Sequence, residues 1–176
     1  CSYYDSIPVL YITGQVSTYR QVGNTGVRQI GFQETPIVDM VRAITKYSVT
    51  IKDPLLVKYE LQKAISIAKT GRPGPVLIDI PDNIQREMID GNNLVEFDSP
   101  ELQPDLKALT RQVRNLLLAI AKAQRPILIA GWGVVLSGSE EEFRSFARRF
   151  NIPVAATWGA SNILSSGDPL YVGTFG

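Results

Sequence analysis

Two glycine-led stretches hold the residues best suited to chemistry. The first is Gly14-Gln-Val16, followed after a loop by Gly31-Phe-Gln-Glu34. The second is Gly71-Arg-Pro-Gly-Pro75, which runs on to Pro81-Asp82. Thr35-Pro36 reads as the N-cap and first position of a helix. An aromatic ring and an amide just ahead of that helix can flank a planar or carboxylate ligand with help from its dipole. Equally, Phe32 can fill a core gap and Gln33 can bond to backbone. Arg72 is either a solvated charge or a guanidinium that pairs with phosphate or stacks on a ring. Asp82 is either a site-lining or a solvated carboxylate. Gly131-Trp-Gly133 carries only two glycines of a dinucleotide fingerprint, so it signals little alone. Trp132 and Trp158 can equally be packing residues.

The chain has 176 residues, 44% of them hydrophobic and 20% charged, with net charge +1. That is a globular composition with too weak a field to suggest nucleic acid or an anionic membrane as partner. Histidine is absent, which removes Ser-His-Asp hydrolysis and histidine metal sites. The lone Cys1 forms no internal disulfide and fits a reducing cytoplasm. No apolar run is long enough to cross a membrane.

Elements that would position these residues alternate along the chain. Residues 7–12 read as a buried strand, 35 onward as a helix with Ile37, Val41 and Ile44 on one face, and Asp53-Pro54 as the next helix start. Val57, Leu61, Ala64 and Ala68 form its stripe until Gly71. Residues 75–80 read as a fully buried strand. Periodicity fails over 86–104, the expected linker between a unit at 1–85 and one at 105–176. A helix bearing Leu106, Leu109, Val113, Leu116, Leu117 and Ile120 follows. After it come a strand at 126–130 with its turn at 131–133, a helix opened by a Ser139/Glu142 capping box, and a strand at 153–157. The fold class is therefore α/β, with parallel sheets flanked by helices. Ligands on such sheets lie beyond the strands' carboxyl ends, at Thr13-Gly14-Gln15, Pro81-Asp82 and Gly131-Trp-Gly133.

The order and spacing of Gly14-Gln-Val16, Gly31-Phe-Gln-Glu34 and Gly71-Arg-Pro-Gly-Pro-Val-Leu-Ile-Asp-Ile-Pro81 resemble the thiamine-diphosphate-dependent acetolactate synthases. The resemblance implies the back half of a pyrimidine-binding domain joined to the front half of a Rossmann-like central domain. The family's catalytic glutamate would then lie upstream of Cys1. It implies that Phe32 contacts a substrate methyl group, that Gln33 orients the reacting cofactor, and that Val16, Gly31 and Asp82 line the substrate channel. It also implies that Arg72 contacts FAD, and that Gly131, Gly133 and Thr157 face that cofactor or keep its shape.

Thiamine diphosphate and Mg²⁺ would be held largely by a domain not in this stretch. Pyruvate or another 2-oxo acid would be the substrate, in a homodimer or tetramer with the site across the subunit interface. By the resemblance the whole enzyme belongs to branched-chain amino acid biosynthesis, and this stretch alone is expected to be inactive. Three positions depart from the family pattern. Ser17 stands where proline is usual, Asp82 where lysine is usual, and Thr174-Phe175 where Met-His is common. The first two leave open another thiamine enzyme, a decarboxylase or an acyl transferase acting on a sugar-derived acceptor. A non-catalytic nucleotide-binding module is the remaining alternative.

Overall fold

Buried parallel strands are continuous apolar runs, and the computed structural model places one such run at the centre of each of two sheets. It describes residues 1–100 and 104–176. The chain forms two compact units, Cys1–Leu102 and Gln103–Gly176.

The first unit contains β1 (Leu10–Gln15), α1 (Ile37–Val41), β2 (Tyr47–Thr50), α2 (Val57–Lys69), β3 (Val76–Pro81) and α3 (Asp82–Gln85). Its sheet is parallel in the order β1-β3-β2. β3 is buried at every position except Ile80, as its unbroken apolar run requires. The core beneath it contains Ile51, Val76, Ile78 and Ile84 with Ala64 and Ala68 of α2, and Val57 and Leu61 of the expected stripe pack against it. Asp53 caps the turn of 3₁₀ helix at Pro54–Leu56 by accepting from Leu55 N at 2.9 Å, and that turn runs into α2. Beyond α2, Gly71 takes the left-handed conformation at φ 62°. Lys46 Nζ donates to the late carbonyls Ile67 O and Thr70 O, which places a cation at the negative end of α2.

Three expectations are corrected here. β1 starts at Leu10 rather than Ile7 and is an edge strand, so Tyr11 and Ile12 are exposed. Thr35 does not cap α1; Pro36 holds the cap position, and the Thr35 hydroxyl donates to Gln33 O at 3.4 Å. α1 is only five residues long and continues as a 3₁₀ turn at Arg42–Ile44, too short to focus a full helix dipole. β2 was not anticipated. Within the segment expected to be a linker, Phe97 N donates to Gln62 Oε1 at 2.8 Å and the Phe97 ring meets Tyr59 edge-on, which fixes residues 96–97 along α2. Residues 101–103 of that segment lie outside the described residues.

The second unit contains α4 (Leu106–Lys122), β4 (Leu128–Ala130), α5 (Trp132–Leu136), α6 (Glu140–Phe150), β5 (Val154–Thr157) and β6 (Tyr171–Phe175). Its sheet is parallel in the order β4-β5-β6. Ala130, Ala147, Val154, Ala156, Ala160, Ile163 and Leu164 form the core, with Phe143 of α6 against it. Asp105 caps α4 by accepting from Lys107 N and Ala108 N at 3.1 and 3.0 Å. The capping box expected at Ser139 is absent, since its side chain makes no cap bond. Instead Glu140, Glu141 and Glu142 lie at the positive end of α6, Arg148 and Arg149 at the negative end, and Asn151 closes it at φ 51°. Trp132 and Gly133, expected in a turn, begin α5. β6, like β2, was not anticipated.

Candidate functional site

A carboxylate inside an apolar strand must find donors, and Asp79 finds three. It is 1% exposed at the centre of β3. Its register partners on the two flanking strands are Thr13 and Thr50. Thr13 Oγ1 donates to Oδ1 at 2.8 Å and Thr50 Oγ1 to Oδ2 at 3.2 Å, while Gln15 Nε2 lies 3.4 Å from Oδ2. Asp79, Gln15 and Thr50 line a cleft beside α1 and the ends of the strands, together with Glu34, Thr35 and Val38.

The loop after β1 returns to this cleft. Gly31 is buried against the strand exit: a β-carbon there would lie 2.8 Å from Val16 Cγ2 and 2.9 Å from Arg20 O. Three backbone amides converge on the Glu34 carboxylate, Val22 N at 2.6 Å, Ile30 N at 3.2 Å and Gly31 N at 3.3 Å. The Val22 bond is the main reason its carboxyl is held below the usual carboxylate range; desolvation opposes it, and the Ile30 and Gly31 bonds each add a lesser lowering. So fastened, the loop presents Phe32 to solvent at 86% exposure. Gln33 follows in the left-handed region at φ 62°, a conformation a non-glycine residue holds only when its surroundings impose it.

Ser17 and Thr18, just past Val16, are tied to α3. Asn83 Oδ1 accepts from Thr18 N at 2.8 Å, and Asn83 Nδ2 donates to Thr18 Oγ1 at 3.0 Å. Ser17 Oγ lies 3.5 Å from Asp82 Oδ2, and Arg86 Nη2 is 2.9 Å from Asp82 Oδ1. The structure therefore gathers Val16, Gly31, Phe32, Gln33 and Asp82 around the carboxyl ends of β1 and β3. Arg72 is not among them. It precedes β3, where its Nε donates to Ser6 Oγ at 2.7 Å and its Nη2 to Tyr4 O at 3.0 Å. Sequence reasoning missed Gln15, Glu34 and Asp79 as supports of this site.

In the second unit, Gly131 directly follows β4 and Thr157 ends the adjacent β5. A β-carbon on Gly131 would meet only Thr157 Oγ1, at 3.9 Å, and one on Gly133 would meet nothing within 4 Å. Trp158 is 74% exposed beside them. This open, glycine-lined rim suits a flat group. In the first unit, Gln15, Glu34, Thr35, Thr50 and Asp79 give the cleft hydrogen-bonding groups that suit a ligand carrying both donors and acceptors. Among the described residues no group of three or more His, Cys, Asp or Glu side chains is placed to hold a metal ion. No helix of the described residues is long and apolar enough to cross a membrane.

Comparison with known proteins finds relatives for the chain. Residues 113–176 match the family described as "Thiamine pyrophosphate enzyme, central domain". The chain is 35% identical over 178 residues to a probable acetolactate synthase large subunit of Methanocaldococcus jannaschii, covering 99% of this chain and 29% of that protein. It is 37% identical over 172 residues to acetolactate synthase 1, chloroplastic, of Zea mays, covering 94% and 25%. With the acetolactate synthase large subunit of Lactococcus lactis it shares 34% over 156 residues, covering 89% and 26%. The chain thus spans about a quarter of the length of these curated relatives. The Methanocaldococcus jannaschii alignment takes in both glycine-led stretches, and the chain belongs to the acetolactate synthase-like family of thiamine-diphosphate-dependent enzymes.

Proposed function

We propose that this chain serves an acetolactate synthase-type carboligation, in which a 2-oxo acid such as pyruvate is decarboxylated and its two-carbon remainder is joined to a second carbonyl. The observation that carries this reading is the close approach of Gly31 to Val16, which leaves Phe32 and Gln33 projecting from a fastened loop at the strand ends. Thiamine diphosphate, when bound, supplies the electron sink for decarboxylation. The chain's own residues bind and orient. The Phe32 ring offers an apolar face to a methyl group. The Gln33 amide can donate to a carbonyl or carboxylate oxygen and accept from an amino group. Val16, Gly31 and Asp82 form the wall of the approach.

Residues 1–85 serve as part of a pyrimidine-binding domain and 105–176 as part of the central domain. There Gly131, Gly133 and Thr157 face FAD, or keep the shape of its site. Arg72 keeps Nη1 for FAD while its Nε and Nη2 hold Ser6 and Tyr4. The diphosphate and Mg²⁺ fall to residues outside this chain. The assembly is a homodimer or tetramer in a reducing compartment; we place it in the cytoplasm, although the Zea mays relative is named chloroplastic.

A second reading is a thiamine enzyme that passes the two-carbon unit to a neutral, sugar-derived acceptor. It is favoured by the Asp82 carboxylate lying beside Ser17 at the approach. The deciding experiment supplies the full-length protein with thiamine diphosphate, Mg²⁺ and pyruvate, and measures CO₂ and acetolactate together. Two CO₂-yielding outcomes separate the readings. One acetolactate per CO₂ supports carboligation between two pyruvates, whereas CO₂ without acetolactate, restored to product by a neutral aldehyde or ketose, supports the second. Absence of CO₂ release overturns both.

A further inference from the structure

Gln15 is the last residue of β1, and all its polar side-chain atoms are engaged. Nε2 lies 2.6 Å from Thr35 O and 3.4 Å from Asp79 Oδ2, and Oε1 accepts from Val16 N at 3.0 Å. The orientation of this amide is fixed by chemistry. Asp79 as a carboxylate, and the Thr35 carbonyl, can only accept, so the NH₂ must face them. A flipped amide would set its oxygen against two acceptors and leave Val16 N facing a donor. Asp79 is itself immobile, being buried in the central strand with hydroxyl donors from both neighbouring strands.

We infer that Gln15, oriented by the buried Asp79, is a positioning residue for the Phe32–Gln33 corner. It ties Thr35, two residues past Gln33, to the end of the sheet, and the Thr35 hydroxyl in turn reaches Gln33 O at 3.4 Å. Glu34 gathers the other side of the loop through Val22, Ile30 and Gly31. With both anchors in place, Gln33 is kept in its left-handed conformation and its side chain has a defined origin. The catalytic consequence rests on the proposed role of Phe32 and Gln33. The mechanical one does not, and the two are measured separately.

The test uses Gln15→Ala and Gln15→Met in the full-length protein; methionine keeps the volume but removes the donor. Amide hydrogen exchange and thermal unfolding are measured without cofactor, and kcat and KM for the 2-oxo acid with it. The expected result is exchange at the Glu34 and Ile37 amides at least about tenfold faster in both variants, with the amides of β3 and α2 unchanged. Displacement of the corner then lowers kcat by up to about 10²-fold, with KM for the 2-oxo acid nearly unchanged. Unaltered exchange at Glu34 and Ile37 in Gln15→Met overturns the proposal. So does acceleration spread equally over β3 and α2, which would mark Gln15 as a general stability residue. Localised acceleration without any change in kcat supports the positioning role and instead removes Phe32 and Gln33 from the reaction.

Discussion

Gly31 and Val16 stand so close that the loop can be closed only by a residue without a side chain. A β-carbon at position 31 would lie 2.8 Å from Val16 Cγ2, and the backbone oxygen of Arg20 blocks the other direction at 2.9 Å. One obstacle is a side chain that can turn; the other is backbone and cannot yield without moving the loop. Gly31→Ala is expected to destabilise the loop by about 1–3 kcal/mol, the range for overpacking a filled site. Because Glu34 draws the same loop inward, the displacement should reach Phe32. The check is kcat/KM together with chemical denaturation. Full activity in Gly31→Ala would show that the close approach does not shape the site.

Gln33 offers a way to separate stability from function at one position. Its φ of 62° strains any residue with a side chain, by about 1–2 kcal/mol. Glycine removes that strain, so Gln33→Gly should leave stability equal or higher while activity falls. Phe32→Ala should be neutral for stability, since its ring is exposed. Each is expected to lower kcat/KM by about 10–10³-fold, the scale for losing one positioned group. Unchanged kinetics with a more stable Gln33→Gly would leave the motif with no role beyond its loop.

Asp79 shows how much of this site could be read in advance. A charge within Val-Leu-Ile-Asp-Ile demands partners, and Thr13 was visible as a hydroxyl residue at a strand end, whereas Thr50 belongs to the unanticipated β2. What the sequence does not show is register, and register alone sets both threonines opposite Asp79. β3, α2, α4 and β5 are legible because each is a long apolar run or a clear helical stripe. β2 hides in Tyr47-Ser-Val-Thr50, four residues without turn signals, and β6 contains Gly173 at φ 126°, which weakens any strand pattern. The role of Glu34 was illegible for another reason: its partners are backbone amides, which leave no trace in residue type.

Those amides give the loop a predictable response to acid. The Glu34 carboxyl is held below its ordinary value of 4.5, chiefly by the Val22 amide. A group whose folded pKa is depressed contributes stability above its unfolded pKa and loses it as pH falls through the folded one. The clamp should therefore be intact at neutral pH and release only below about pH 4.5. Amide exchange at Val22, Ile30 and Gly31, corrected for intrinsic rates, should rise steeply below that value. Glu34→Gln should show faster exchange at neutral pH and no acid step. A step that persists in Glu34→Gln would assign it to another group.

Asp82, which we propose lines the approach, has its charge already offset. Arg86, one helical turn on, places Nη2 at 2.9 Å from Oδ1, and the Asp82 side chain is 49% exposed. An exposed pair of this kind is worth about 0.2–1 kcal/mol, and its field beyond the pair is weak. Asp82→Lys is therefore expected to raise kcat/KM for pyruvate as acceptor, relative to a neutral aldehyde, by less than about tenfold; an unpaired, desolvated carboxylate would give more. Arg86→Ala should move the ratio the other way, because it bares the carboxylate. Both shifts should shrink between low and moderate salt, whereas an effect of shape would not. If the two substitutions move the ratio in the same direction, charge at Asp82 does not select the acceptor. If neither moves it at low salt, Asp82 does not face the acceptor at all, and the reading that favours a neutral acceptor loses the observation behind it.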